Sequence, residues 1–121
     1  MRIASFFRFA LAAAAMATGT LAAAAFPDKP VRIVIGFPAG GPLDQHARLL
    51  SDRLSAVLGQ PILIDYKSGA GGTVGAQEVM KAAPDGYTLM LANTGVMVIN
   101  PALYSKLPYS TLKDFTPIAR T

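Results

Sequence analysis

Apolar and polar positions switch between two periods along the chain. Val31-Arg32-Ile33-Val34-Ile35-Gly36-Phe37 is β-branched and apolar, the pattern of a strand covered on both faces. Pro38-Ala39-Gly40-Gly41 breaks it. From Leu43 to Leu58 the apolar residues take helical spacing. Leu43, Ala47, Leu50, Leu54, Val57 and Leu58 share a stripe, and Asp44, Gln45, Arg48, Ser51, Asp52 and Ser55 are predicted to face away. The end signals agree: Gly41 as N-cap, Pro42 at the first helical position, Asp44 in the electropositive first turn, Gly59 as a left-handed cap, and Pro61 as a stop.

A second cycle follows. Pro61 to Tyr66 reads as a strand, Lys67 to Gly72 as a loop, and Val74 to Ala83 as a helix. Thr73 is its expected N-cap, with Val74, Ala76, Val79, Met80 and Ala83 inward. Pro84-Asp85-Gly86 is a turn, and Tyr87 to Ala92 a third strand ended by Asn93-Thr94-Gly95. Val96–Ile99 fits either a short helix or extended chain, and Phe115–Arg120 is expected to open a further strand. Strand–helix–strand–helix–strand with short connections predicts an α/β fold: an open parallel sheet with a βαβαβ start and right-handed crossovers. Such a sheet needs more helices on its faces than this segment supplies. Residues 26–121 are therefore expected to be a partial N-terminal lobe, and the stop inside an expected strand suggests a truncated reading frame.

The first 25 residues follow another logic. Met1–Arg8 holds two arginines and no acid, Phe9–Met16 is unbroken apolar, and Ala23-Ala24-Ala25 offers a small-residue cleavage site before Phe26. That is the layout of a secretory signal peptide, and the Ala-rich composition with Gly19 falls short of a bilayer anchor. Export to the periplasm is expected. The formal charge of +4 then shrinks, because Arg2 and Arg8 leave with the leader and nine basic residues face seven acidic ones downstream. Those nine are scattered with no run, which argues against a nucleic-acid footprint. With no Cys and one His, thiolate nucleophiles, disulfides and paired-imidazole metal sites are excluded, and no cofactor or metal is expected.

In an open parallel sheet, ligands bind beyond the carboxyl ends of the strands. Three glycine-bearing loops fall there: Pro38–Pro42, Lys67–Gly72 and Asn93–Gly95. The first two run into helix N-termini, whose unpaired N–H groups and partial positive charge make an anion site without a cationic side chain. Enzymatic motifs are weaker. Gly69-Ala70-Gly71-Gly72-Thr73-Val74-Gly75 reads G-x-G-x-x-x-G, and Asn93 stands where a dinucleotide site wants an acid. His46 has no nucleophile in register, Asp65 and Asp85 read as strand-end and turn residues, and Tyr66, Tyr87, Tyr104 and Tyr109 as half-buried packing. No catalytic residue is assigned.

Four motifs in order resemble one family. They are Phe37-Pro38-Ala39-Gly40-Gly41-Pro42-x-Asp44-x-x-Ala47-Arg48, Gly69-Ala70-Gly71-Gly72, Pro84-Asp85-Gly86-Tyr87-Thr88-Leu89, and Leu107-Pro108-Tyr109 with Lys113-Asp114-Phe115. They are similar to the Bug family, the periplasmic substrate-binding receptors of tripartite tricarboxylate transporters. The resemblance implies a two-lobed, type II-like binding protein about three times longer than residues 26–121. It implies a monomer that holds a small carboxylate and passes it to the transporter's membrane subunits. Carried over by position, the ligand contacts fall at Phe37, Ala39, Gly40, Gly41 and Asp44, at Ala70, Gly71 and Gly72, and at Asn93 and Thr94. Asp44 would cap its helix and make a water-bridged contact. One departure is Asp65-Tyr66-Lys67-Ser68, where the family commonly has Glu-Asn-Arg-Pro; losing the proline is expected to loosen that loop. The competing readings are an exported nucleotide-cofactor enzyme fragment and a nonfunctional truncated product.

Overall fold

The computed structural model describes residues 25–121. The expected leader, residues 1–25, lies outside the described residues except for Ala25. Three parallel strands form one sheet: β1 (Val31–Ile35), β2 (Ile62–Tyr66) and β3 (Thr88–Leu91), in the order β2-β1-β3. Helix α1 (Pro42–Leu58) links β1 to β2, and α2 (Thr73–Met80) precedes β3. The predicted α/β sheet with its βαβαβ start is present.

β1 is central because its sequence suits burial on both sides. Ile33 and Ile35 pair across to Ile64 and Tyr66 of β2 and to Leu89 and Leu91 of β3, so one row of side chains faces α1. Ala47, Leu43 and Leu54 of α1 close that layer. The opposite layer is built on Ala76, Val96 and Tyr109, with Met80, Met90, Met97, Leu107 and Phe115 packed around them. Strand order 2-1-3 thus places α1 and α2 on opposite faces of the sheet.

The end signals of α1 hold: Gly41 is the N-cap, Pro42 opens the helix, and Gly59 closes it at φ 68° with its N–H on Ser55 O. The face assignment needs correction. Val57, expected inward, is 82% exposed, whereas Asp44 and Ser51, expected outward, are buried. At roughly 100° per residue the inward face centres on Ala47, Leu54 and Leu58; Val57 lies about 80° off that centre, and Asp44 and Ser51 only about 40–60°. Their polar atoms are satisfied locally; Ser51 Oγ donates to Arg48 O at 2.9 Å.

Further along, α2 begins one residue before the expected start and ends three before the expected end. Gly72, not Thr73, is its N-cap, at a positive φ of 90° that a β-branched residue resists. Val74 and Ala83 are exposed, contrary to expectation, because α2 turns only a short face inward. Beyond β3, Gly95–Ile99 coils as a wide π-type turn that continues into α3 (Asn100–Leu103), which settles the open reading of Val96–Ile99 as helical. Residues 115–121 form no strand. The Tyr109 hydroxyl donates to Val96 O at 2.6 Å, and Phe115 packs edge-on against the Tyr109 ring. At the start of the described chain, Phe26 stacks edge-on against Tyr87, while the Tyr87 hydroxyl donates to Asp28.

One backbone contact governs this layout. The loop from β2 to α2 passes over the end of β1, where a Cβ on Gly36 would stand 2.7 Å from Gly72 Cα, and one on Gly75 2.8 Å from Gly36 Cα. Only bare backbone fits. Gly75→Ala should therefore destabilise the fold although Ala is the better helix former. Overpacking costs about 1–3 kcal/mol, against a propensity gain of about 1 kcal/mol. Urea unfolding should show a lowered midpoint with unchanged slope.

Candidate anion site at the tip of the first helix

The reversal of strand order between β1 and its neighbours opens a crevice. The chain leaving β1 turns into α1 on one face, and the chain leaving β3 turns into the π-type turn on the other. Between them lies a cavity of about 430 Å³ lined by Phe37, Pro38, Ala39, Gly41, Pro42, Leu43 and Asn93. It sits beyond the carboxyl ends of β1 and β3, where open parallel sheets bind ligands.

The local sequence dictates an amide-rich wall. Gly40 takes φ +90°, a conformation open to glycine, and Gly41 is extended. Pro42 supplies no N–H, so the donors are the main chain of Gly41 and the first-turn amides of Leu43 and Asp44, which have no intrahelical acceptor. The first intrahelical bond runs from Gln45 N–H to Gly41 O at 3.2 Å. None of the seven lining residues is charged, so the helix end is the local source of positive potential. Across the cavity, Asn93 Oδ1 accepts Val96 N–H at 3.1 Å, which leaves its Nδ2 as a donor.

Beneath this wall lies a carboxylate. Asp44, 4% exposed, accepts Gly40 N–H on Oδ2 at 2.7 Å, and on Oδ1 both Arg48 Nε at 2.9 Å and the Tyr66 hydroxyl at 2.6 Å. The Tyr66 and Gly40 bonds hold the Asp44 carboxyl below its ordinary range, with Arg48 adding to them. The same Asp44 bond raises the Tyr66 phenol, and the ion pair raises Arg48. Capping by Asp44 therefore takes the form of a bond to Gly40, one residue before the N-cap.

Of the ten positions expected from the resemblance, the cavity brings together Phe37, Ala39, Gly41 and Asn93. Gly40 and Asp44 are not among the lining residues and bond each other, Gly40 exposed and Asp44 buried. Ala70, Gly71 and Gly72 belong to the crossing loop. Gly72 is buried against Phe37 and Val96, its N–H bonds Gly69 O at 3.0 Å, and Gly71 O accepts Asn100 Nδ2 at 3.1 Å. Thr94 is exposed at the head of the π-type turn. Sequence reasoning missed the Arg48–Asp44–Tyr66 cluster. The i,i+4 spacing of Asp44 and Arg48 signals that pair, but nothing local signals a tyrosine arriving from β2. His46 is exposed, Asp65 is paired with Arg32 at 2.9 Å, and Asp85 accepts Tyr87 N–H in a turn.

A parallel βαβαβ layer with its crevice at the strand-order reversal is the start of an open, doubly wound α/β sheet. The chain belongs to the tripartite tricarboxylate transporter family receptors, whose sequence pattern matches residues 46–121. A UPF0065 protein of Bordetella bronchiseptica is 45% identical over 94 residues, which are 78% of this chain and 28% of that protein. MatC of Rhodopseudomonas palustris, solved with bound malate, is 47% identical with a TM-score of 0.73, over 76% of this chain and 31% of that one. The periplasmic binding protein BugD is 40% identical with a TM-score of 0.73, over 77% and 31%. The chain thus spans about a third or less of these relatives' lengths. The family is one of solute receptors, not of enzymes, and the Bug resemblance holds. No helix among the described residues is long and apolar enough to cross a membrane.

Asp44 makes the fold acid-sensitive. A carboxyl lowered in the folded state contributes stability above its unfolded value, about 3.9, and loses it as pH falls through the lower folded value. Between about pH 4 and pH 2 the thermal midpoint of the native protein should fall more steeply than that of Asp44→Asn.

Proposed function

We propose that this chain is the ligand-capturing part of a periplasmic receptor for a small di- or tricarboxylate. One carboxylate of the ligand sits in the cavity at the tip of α1, held by the amides of Gly41, Leu43 and Asp44. Asn93 approaches from the far wall, and Phe37 and Ala39 exclude water. Residues 1–25 act as the export signal, and the loaded receptor, a monomer, hands its cargo to the membrane subunits of a tripartite tricarboxylate transporter. The observation that carries this reading is a cavity at a helix N-terminus with no charged lining residue. Such a wall attracts anions through amide donors and the helix dipole alone. Malate in MatC is a cargo of the same class.

The two glycines of the first turn test it by different routes. Gly40→Val forces a β-branched residue to φ +90°, which distorts the turn, whereas Gly41→Val meets only Pro38 O at 3.8 Å and fills the cavity instead. Calorimetric titration with malate and citrate should show binding by the native protein and at least about a hundredfold loss in either variant, the weight of two charge-assisted hydrogen bonds. Unchanged affinity in both would refute the assignment. A response to NAD in place of the acids would transfer the site to a nucleotide enzyme.

A further inference from the structure

Asp44 is an anion placed under an anion site. Three donors from three parts of the chain close on it: Gly40 N–H from the first turn, Arg48 Nε from the next turn of α1, and the Tyr66 hydroxyl from the last residue of β2. Arg48 Nη2 also donates to Tyr66 Oη at 3.1 Å, so the three side chains form a closed triangle. Arg48 is the one cation within ion-pair distance of Asp44 among the described residues; Lys67, next to Tyr66, pairs with Asp65 at 3.7 Å. With Oδ1 doubly engaged, Oδ2 is directed at Gly40. That bond holds a glycine at φ +90°, at a place where an added Cβ would meet open space.

Resting on the carboxylate reading above, we propose that Tyr66 is a positioning residue for ligand capture. Its hydroxyl orients the Asp44 carboxylate so that Asp44 takes up Gly40 N–H, fixes the first glycine turn, and turns its charge away from the cavity. The ligand is then left to the amides of Gly41 and the first turn of α1. Because Tyr66 ends β2, the same contact ties the first glycine turn to the root of the second.

The experiment pairs malate calorimetry with the amide resonance of Gly40, on the native protein, Tyr66→Phe, Asp44→Asn and the double variant. Tyr66→Phe should weaken malate binding about tenfold, a single hydrogen bond to a charged group. It should also shift the Gly40 amide upfield and raise the pH at which that resonance titrates. In the Asp44→Asn background the same change should alter affinity by less than about twofold, since the group it orients is gone. An unmoved Gly40 resonance, native affinity in Tyr66→Phe, or an equal loss in both backgrounds overturns the proposal. Should Tyr66→Phe not fold, Tyr66→Leu decides at about pH 7, where malate stays ionised: the Gly40 resonance and malate affinity should change together, and independence overturns it. Absence of malate and citrate binding by the native protein sinks the carboxylate reading instead, and the role of Tyr66 then stands or falls on the Gly40 resonance.

Discussion

The contact on which everything else rests is the passage of bare backbone over the end of β1. β2 and β3 flank β1, and α2 must reach the face opposite α1. Its route crosses the carboxyl edge of the central strand, and the crossing is tight enough that Gly36, Gly72 and Gly75 meet without room for a side chain. A methyl group on Gly36 or Gly75 would strike backbone and lift the loop, and one on Gly72 would strike Val96 and the Phe37 ring. With the crossing in place, the chains leaving β1 and β3 diverge to opposite faces and the crevice opens between them. Two glycine-rich loops that look alike in sequence thus sit differently: the second packs against β1, and the first lines the cavity.

The electrostatics follow from the same geometry. The tip of α1 presents amides to the cavity, and no lysine or arginine lines it. An anion there is served by fixed dipoles, which need no reorganisation when it arrives. The first turn of α1 also carries a negative charge at Asp44; Arg48 offsets it in an ion pair, and Tyr66 donates a hydrogen bond to it. Tyr66 belongs to Asp65-Tyr66-Lys67-Ser68, the stretch that leads from β2 into the crossing loop. The stretch that reads in sequence as a loosened loop supplies a phenol long enough to reach from β2 into the first turn of α1.

The sheet, both crossovers and the caps of α1 were legible in the sequence because each rests on local chemistry. β-branched runs make strands, Gly59 accepts a left-handed φ, and Pro42 suits a first turn. The inward face of α1 was not, since Asp44 and Ser51 are buried on account of partners that hydropathy does not register. The end of α2 was missed for a related reason: Ala82 and Ala83 are apolar enough to continue a helix, but the chain must turn back at Met80 to reach β3. The expected strand at Phe115–Arg120 lost to an aromatic contact, with Phe115 drawn onto Tyr109. Within the site, the first glycine turn and Asn93 were visible as punctuation. That Gly72 packs while Gly41 faces the cavity depends on the path of the chain, which spacing does not encode.

An amide-only wall also sets what this part of the receptor can recognise. Gly41, Leu43 and Asn93 bring donors to the lining, and the rest of it, at Phe37, Pro38, Ala39 and Pro42, is apolar or small. Under the proposed function, selection would be for a carboxylate end carried on a short, non-bulky body, because a donor cluster of this kind answers to charge and lone pairs, not to the rest of a molecule. Discrimination among acids of one length and another requires a second set of polar groups facing the other end of the ligand, since leaving a second carboxylate against apolar walls would cost more than the first gains. On the proposed reading the tip of α1 would serve as a general handle for carboxylates, tuned by how firmly Asp44 is held by its three donors.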